Sequence, residues 1–182
     1  MDIGAGYGEI VEAVTRLACD GSRVEGIEPM TPKAEAAQAL GLMVREQYLG
    51  DVTEQYDFVS LINVFSHVPD FRQFLSEIKT VIKDGGEFLM EAGNIADLPS
   101  SESVCDTLNL PDHLAFAGEK HYLGYLEEAG FEIVSIRSDR CDGLLTCCKL
   151  VAKKILGRRV FIRFPYTSAY RTFFIRARLV KR

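Results

Sequence analysis

Residues 2–8 read Asp2-Ile3-Gly4-Ala5-Gly6-Tyr7-Gly8, and Glu28 follows twenty positions after the last glycine. No other stretch constrains the fold as much. A short apolar run enters a loop with glycine at every second position, and a helical pattern starts straight after. Glycines there let the backbone turn tightly and approach a ligand with no Cβ in the way. A second apolar run, Val24-Glu25-Gly26-Ile27, ends on Glu28. An acid at the tip of that strand can accept from both hydroxyls of a ribose. Together these residues describe a nucleoside-containing cofactor lying across the carboxyl ends of two adjacent parallel strands.

The spacing narrows the cofactor. Dinucleotide loops want Gly-x-Gly-x-x-Gly, with the third glycine permitting close helix–strand packing. Counted from Gly4 that glycine would fall on Glu9; it stands at Gly8 instead. An acid at position 9 also competes with a pyrophosphate for the positive end of the helix. A cofactor with a positive centre and no phosphate fits better. The loop resembles the first motif of class I S-adenosylmethionine-dependent methyltransferases, Asp/Glu-x-Gly-x-Gly-x-Gly. A glycine turn in another α/β domain is the alternative, and Glu28 in register counts against it.

Along the chain, strand and helix patterns alternate, which argues for an open parallel sheet. Ile10, Val11, Val14, Leu17 and Ala18 recur at helical spacing up to Gly21. Val24–Glu28 is the second strand, Pro32–Leu40 a helix, and Leu42–Val44 the start of a third strand. Tyr56–Asn63 is nearly all apolar, as a strand buried on both faces must be. Phe71, Phe74, Leu75, Ile78 and Ile82 make one face of a helix over Asp70–Ile82. Glu87–Glu91 reads as a strand, Glu119–Ala129 as a helix closed by Gly130, and Phe131–Ile136 and Thr172–Val180 as strands.

The resemblance extends over most of residues 2–137. Asn63-Val64-Phe65-Ser66-His67-Val68-Pro69-Asp70 is similar to the family's segment after strand four. Ile82-Lys83-Asp84-Gly85-Gly86 resembles its turn before strand five. Pro111-Asp112-His113-Leu114, with Leu126 to Phe131, resembles its closing segment. The resemblance implies a Rossmann-like doubly wound sheet of order 3-2-1-4-5-7-6. Strand seven, Thr172–Val180, is then antiparallel, with Phe173, Ile175, Ala177 and Leu179 on one face. The family carries several apolar residues before its first acid. Here only Met1 precedes Asp2, so strand one is truncated and its neighbours are expected to show unpaired edges. The whole chain reads as one domain, with 144–165 as a basic insertion before the last strand.

The resemblance also implies site roles. S-adenosylmethionine is the expected cofactor. Gly4, Ala5, Gly6 and Gly8 lie against its methionine part, and Asp2 supports its ammonium through the loop. Glu28 takes the ribose hydroxyls, Asp51 faces the adenine amino group, and Asn63 sits beside the methionine moiety. A solvated loop acid is the other reading of Asp51, and a strand-end cap that of Asn63.

Methyl transfer from a sulfonium is an in-line displacement that mainly needs alignment and exclusion of water. A base helps when the acceptor is a hydroxyl. His67 and His113 are the candidates, each with a second reading: His67 as a packing residue, His113 as a turn residue. His121 stands on a helix between Lys120 and Tyr122 and reads as surface. Some quinone O-methyltransferases carry Glu-x-x-Glu-His and a divalent ion after strand four. Here Asn63, Ser66 and His67 hold those positions, without either carboxylate. Hard divalent cations want oxygen ligands, so no metal is expected.

Composition sets the partners. The 47% hydrophobic and 26% charged shares are those of a globular protein. No apolar run is long enough for a transmembrane helix. No signal peptide precedes the glycine loop, and five cysteines without Cys-x-x-Cys pairs suit a reducing cytoplasm. Charge is divided sharply. All 26 acids lie at or before Asp142, with 10 Lys/Arg; beyond it stand 11 Lys/Arg and no acid. In 144–161, Leu144, Cys148, Val151, Ile155 and Leu156 form an apolar stripe among Lys149, Lys153, Lys154, Arg158 and Arg159. Such a helix either lies on anionic membrane or packs on the sheet with a solvated basic face. Nucleic acid is not expected, because the acidic body repels it. The stretch 94–118 has few aromatics and suits a small polar acceptor. The resulting expectation is a methyltransferase acting at an oxygen of a small polar metabolite or glycan precursor. A non-catalytic nucleotide-binding or scaffold protein of the same fold is the alternative.

Overall fold

The computed structural model describes residues 1–94, 96, 113–140, 144–157 and 170–180. Seven strands form one sheet: β1 (Asp2–Ile3), β2 (Gly26–Ile27), β3 (Val44–Arg45), β4 (Tyr56–Ile62), β5 (Ile82–Gly93), β6 (Phe131–Arg140) and β7 (Tyr170–Leu179). Their order is β3-β2-β1-β4-β5-β7-β6, with β7 antiparallel to both neighbours and the other pairs parallel. The helices among the described residues are α1 (Glu9–Leu17), α2 (Thr31–Ala39), α3 (Phe71–Thr80), α4 (Glu119–Glu128) and α5 (Leu144–Ile155). The order and the antiparallel strand agree with the sequence expectation.

Three helices begin where the sequence supplies a start. The carboxylates of Glu9 and Glu12 lie in the first turn of α1, at the positive end of its dipole. Pro32 opens α2, where a missing N–H costs nothing. Asp70 caps α3 by accepting from Gln73 N at 3.0 Å. That helix stops at Thr80, short of the expected Ile82. Val81 leaves helical geometry, and Ile82 already pairs with Tyr56 of β4. Helix α5 also ends early, at Ile155. Gly157 follows at φ +75°, the left-handed geometry that terminates helices. Arg158 and Arg159 fall outside the described residues.

The registers put Ile3, Ile27, Leu61, Met90 and Ile175 on one face of the sheet. All five are buried against Phe71, Leu75 and Ile78 of α3 and Tyr122 and Leu126 of α4. Strand β7 alternates as expected: Phe173, Ile175, Ala177 and Leu179 are buried. On its other face Arg176 Nε and Arg178 Nη2 donate to Glu87 at 2.6 and 2.8 Å. A smaller core of Ala5, Val11, Ala34, Ala37 and Val44 joins α1 and α2 to the opposite face. Helix α1 comes very close there. A Cβ on Gly26 would stand 2.5 Å from Ala5 Cβ and 2.9 Å from Val11 Cγ2.

The unpaired edges expected beside strand one do not flank β1 itself, which pairs on both sides. Strand β2 is equally short, so β1 leaves no unmatched ladder on that side. On the other side Met1 N donates to Phe58 O at 2.8 Å, and Ser60 N donates back to Met1 O at 2.9 Å. Met1 thereby extends the pairing with β4 by one residue.

Candidate functional site

The carboxyl ends of β1, β2 and β4 meet around a cleft of about 820 Å³, a size suited to a nucleoside-bearing small molecule. Gly4, Glu28, Asn63 and His67 line it. Gly4, Gly6 and Gly8 all have positive φ, at +70°, +55° and +89°. Only glycine takes three such turns in five residues without strain. Their surroundings differ. A Cβ on Gly4 would meet Val64 Cγ2, and one on Gly8 would meet Leu42 Cδ1, each at 2.5 Å. At Gly6 the nearest atom would be Glu9 Oε2 at 3.8 Å, so its outer side is open. Gly4 and Gly8 are therefore glycines because protein packs on them. Gly6 leaves room for something else.

Glu28 is buried, and its carboxylate is fixed at both oxygens. Gly6 N donates to Oε2 and Met30 N donates to Oε1, each at 2.9 Å. A carboxylate has about four acceptor sites, so both oxygens keep capacity for a diol. No lysine or arginine among the described residues forms an ion pair with it.

Not every expected residue reaches the cleft. Asp2 is buried beneath the loop, where Ser60 Oγ donates to its Oδ1 at 2.6 Å. Burial pushes its carboxyl up to about 6, against the opposing pull of the Ser60 bond. Ala5 packs in the smaller core, and its N–H donates to Ile27 O. Asp51 is exposed at the end of a 3-10 turn, Leu49–Asp51, and does not line the cleft. The turn carries Asp51 outward, and Tyr48 and Leu49 line the wall instead. The sequence reading missed both, and also Met30. The usable signal was their position just beyond the ends of β2 and β3.

A second cavity, of about 70 Å³, adjoins the first and shares Asn63 with it. Asn63 has φ +57°, the single described residue other than glycine with positive φ. Asparagine tolerates this geometry better than most residues, and such strain clusters at functional sites. Phe65, Ser66, Glu91, His113, Phe116 and Tyr122 form most of the wall. The carbonyl of Ser66 accepts from Leu114 N at 2.6 Å and Ala115 N at 3.1 Å. These bonds hold the His113 segment against the turn after β4. The rings of His67 and His113 meet edge-to-face, with centroids 5.1 Å apart. His113 Nδ1 is buried and accepts no hydrogen bond from any other described residue. His121 is remote: its Nδ1 accepts from Gly118 N at the start of α4.

The family described as "Methyltransferase domain" matches residues 1–136. The ubiquinone biosynthesis O-methyltransferase of Nitrobacter winogradskyi is 27% identical over 157 residues, covering 71% of this chain. The chain spans 58% of that relative's length. Geranyl diphosphate C-methyltransferase from Streptomyces coelicolor A3(2) superposes with a TM-score of 0.74 at 19% identity, over 98% of this chain and 71% of that one. An S-adenosylmethionine-dependent methyltransferase from Mesorhizobium loti gives 0.71 at 14% identity, over 97% and 88%. A glycine loop at β1, a buried acid ending β2 and this strand order occur together for one reason: the chain belongs to the methyltransferase-domain family of class I S-adenosylmethionine-dependent enzymes.

Proposed function

We propose that this protein binds S-adenosylmethionine in the larger cleft and methylates a hydroxyl of a small polar metabolite held in the adjoining cavity. One observation carries the reading. The Glu28 carboxylate is buried, oriented by two backbone N–H groups, unpaired with any described cation, and turned toward a cleft. That is what a ribose diol requires of a binding carboxylate, and the open side of Gly6 leaves the approach clear. When bound, the cofactor supplies a methyl group on a positively charged sulfur, which leaves as a neutral thioether while the acceptor oxygen takes the methyl.

The chain's own contribution is alignment and proton removal. Asn63 belongs to both cavities, so it stands where cofactor and acceptor meet. The His113 imidazole, which lines the smaller cavity, takes the hydroxyl proton of the acceptor. The edge contact with His67 orients the His113 ring. Oxygen as the acceptor atom is supported by the activity named for the Nitrobacter relative. A glycan precursor and a phenol both carry suitable hydroxyls. Phe65, Phe116 and Tyr122 in the wall favour a planar ring.

Calorimetric titration with S-adenosylmethionine and S-adenosylhomocysteine tests the first half. Absence of binding to either would overturn it. Formation of S-adenosylhomocysteine across a panel of phenols, sugars and sugar phosphates tests the second. Binding without turnover on any acceptor would favour the scaffold alternative. His113→Gln is expected to lower kcat by about a hundredfold with unchanged cofactor affinity, in the usual range for loss of a general base.

A further inference from the structure

Helix α5 is unlike the other four described helices. Every side chain in it that the structure describes is exposed: Cys148, Lys149, Val151, Ala152, Lys153 and Ile155. Ile155 is 80% exposed, and Leu156 just beyond it 77%. The sequence left two readings open, and packing on the sheet with a solvated basic face is not what these residues do. Cys148, Val151 and Ile155 are spaced three and four apart, so they share one face. Lys149 and Lys153 share the opposite one. An amphipathic helix usually lays its apolar stripe on the core; this stripe meets solvent.

The topology fixes where the helix leaves the sheet. Both β5 and β6 are antiparallel to β7, so β6 runs parallel to β5. Helix α5 follows the carboxyl end of β6, which is the edge of the sheet on which the cofactor cleft opens. Charge is arranged the same way. No acid occurs after Asp142, whereas the preceding chain carries all 26.

We propose that α5 is a docking helix for the surface of an anionic lipid bilayer. Its apolar stripe enters the boundary between headgroups and acyl chains, and its lysines face the anionic headgroups. Twelve residues extend about 18 Å, against a hydrocarbon core of about 30 Å, so the helix lies on the surface and does not cross. The acidic body is repelled by the same surface. Contact is confined to the basic segment, and the cleft edge turns toward the membrane. The docking does not depend on cofactor binding, so calorimetry with S-adenosylmethionine and the vesicle assay succeed or fail separately.

The chain has no tryptophan, so Val151→Trp gives a single fluorescent reporter on the stripe. Extruded vesicles of phosphatidylcholine mixed with phosphatidylglycerol are expected to shift its emission to the blue at low salt. High salt should reverse the shift, and pure phosphatidylcholine should produce little. Lys149→Gln with Lys153→Gln is expected to weaken binding roughly thirtyfold. Ile155→Ser is expected to weaken it roughly tenfold. Unaltered thermal melts of these variants would show that folding is intact. No blue shift with anionic vesicles overturns the proposal. So does a shift indifferent to salt and to both lysine changes. Sedimentation velocity supplies a third decisive result: a dimer dispersed by Ile155→Ser would assign the stripe to a second copy of the chain and overturn the bilayer assignment.

Discussion

Two buried glutamates stand three residues apart at opposite ends of β2, and their surroundings have little in common. Glu25 precedes the strand. Its carboxylate accepts from the Tyr56 hydroxyl and from Arg23 Nη2 at 2.9 Å, and Arg45 Nη2 lies 3.7 Å away. Arg45 in turn donates to Tyr56 Oη and to Glu54. Glu28 follows the strand. It is held by two backbone amides, pairs with no described cation and faces a cleft. Glu25 is a charge closed off by its own protein, whereas Glu28 is oriented and left with acceptor capacity. A buried acid points to function when its partners position it without satisfying it. Burial alone does not separate the two, since both are nearly inaccessible.

The comparison breaks first at Glu25. Glu25→Ala removes one of the two carboxylates beside Arg45 and the acceptor of the Tyr56 phenol, which burial and the Glu25 bond push up to about 12. A loss of about 3 kcal/mol is expected, because the buried Tyr56 phenol is left without its acceptor and two partly exposed guanidiniums lose a carboxylate. Chemical denaturation measures it, and cofactor affinity of the folded fraction should not move. A change in affinity with unaltered stability would reverse the roles assigned to the two ends.

Asp2 tests a third buried carboxylate, one without an arginine. Its pKa is raised from 3.8 to about 6, so the folded state holds the proton more tightly than the unfolded chain. Its contribution to stability is complete below about pH 4 and is lost as pH rises through about 6, by at most about 3 kcal/mol. Asp2→Asn cannot ionise and keeps an acceptor for Ser60. The variant should gain stability over the parent as pH rises across that window, read from paired melts. A difference that is flat with pH would remove Asp2 as the titrating group.

Glu28→Ala should act on binding and little on folding. Loss of charge-assisted contacts to a ribose diol is worth about 1.5–3 kcal/mol, or a ten- to hundredfold weaker affinity for S-adenosylmethionine. Calorimetry measures it, and unchanged affinity would mean that the ribose lies elsewhere. The smallest effect belongs to Arg23→Ala. That side chain is half exposed, so its pair with Glu25 is screened and its loss should barely move the unfolding transition. A larger shift would show that Arg23, and not Arg45, neutralises Glu25.

Much of this was legible in the residues. Alternating strand and helix patterns pointed to an open parallel sheet, the resemblance of the glycine loop and later motifs to the methyltransferase family implied the strand order, and the acid twenty positions beyond the loop is the buried Glu28 that lines the cleft. Local chemistry carries such features: a positive φ demands glycine, and a fully covered strand demands an apolar run. The same local rules placed Phe173, Ile175, Ala177 and Leu179 on one face before any contact was known. Other outcomes depended on where the chain returns in space. Asp51 sits at a plausible distance in sequence, yet a turn carries it outward while Tyr48 and Leu49 face the cleft. Nothing around Glu25 announces that Arg45 and Tyr56 close over it. His67 and His113 are 46 residues apart, and their contact rests on two N–H groups reaching one carbonyl of Ser66. The exposure of α5 is of the same kind, because an amphipathic pattern says that a helix has an apolar face but not what that face meets. Periodicity and motif are properties of neighbours in the chain. Proximity between distant segments is decided by packing, and packing assembled the second cavity.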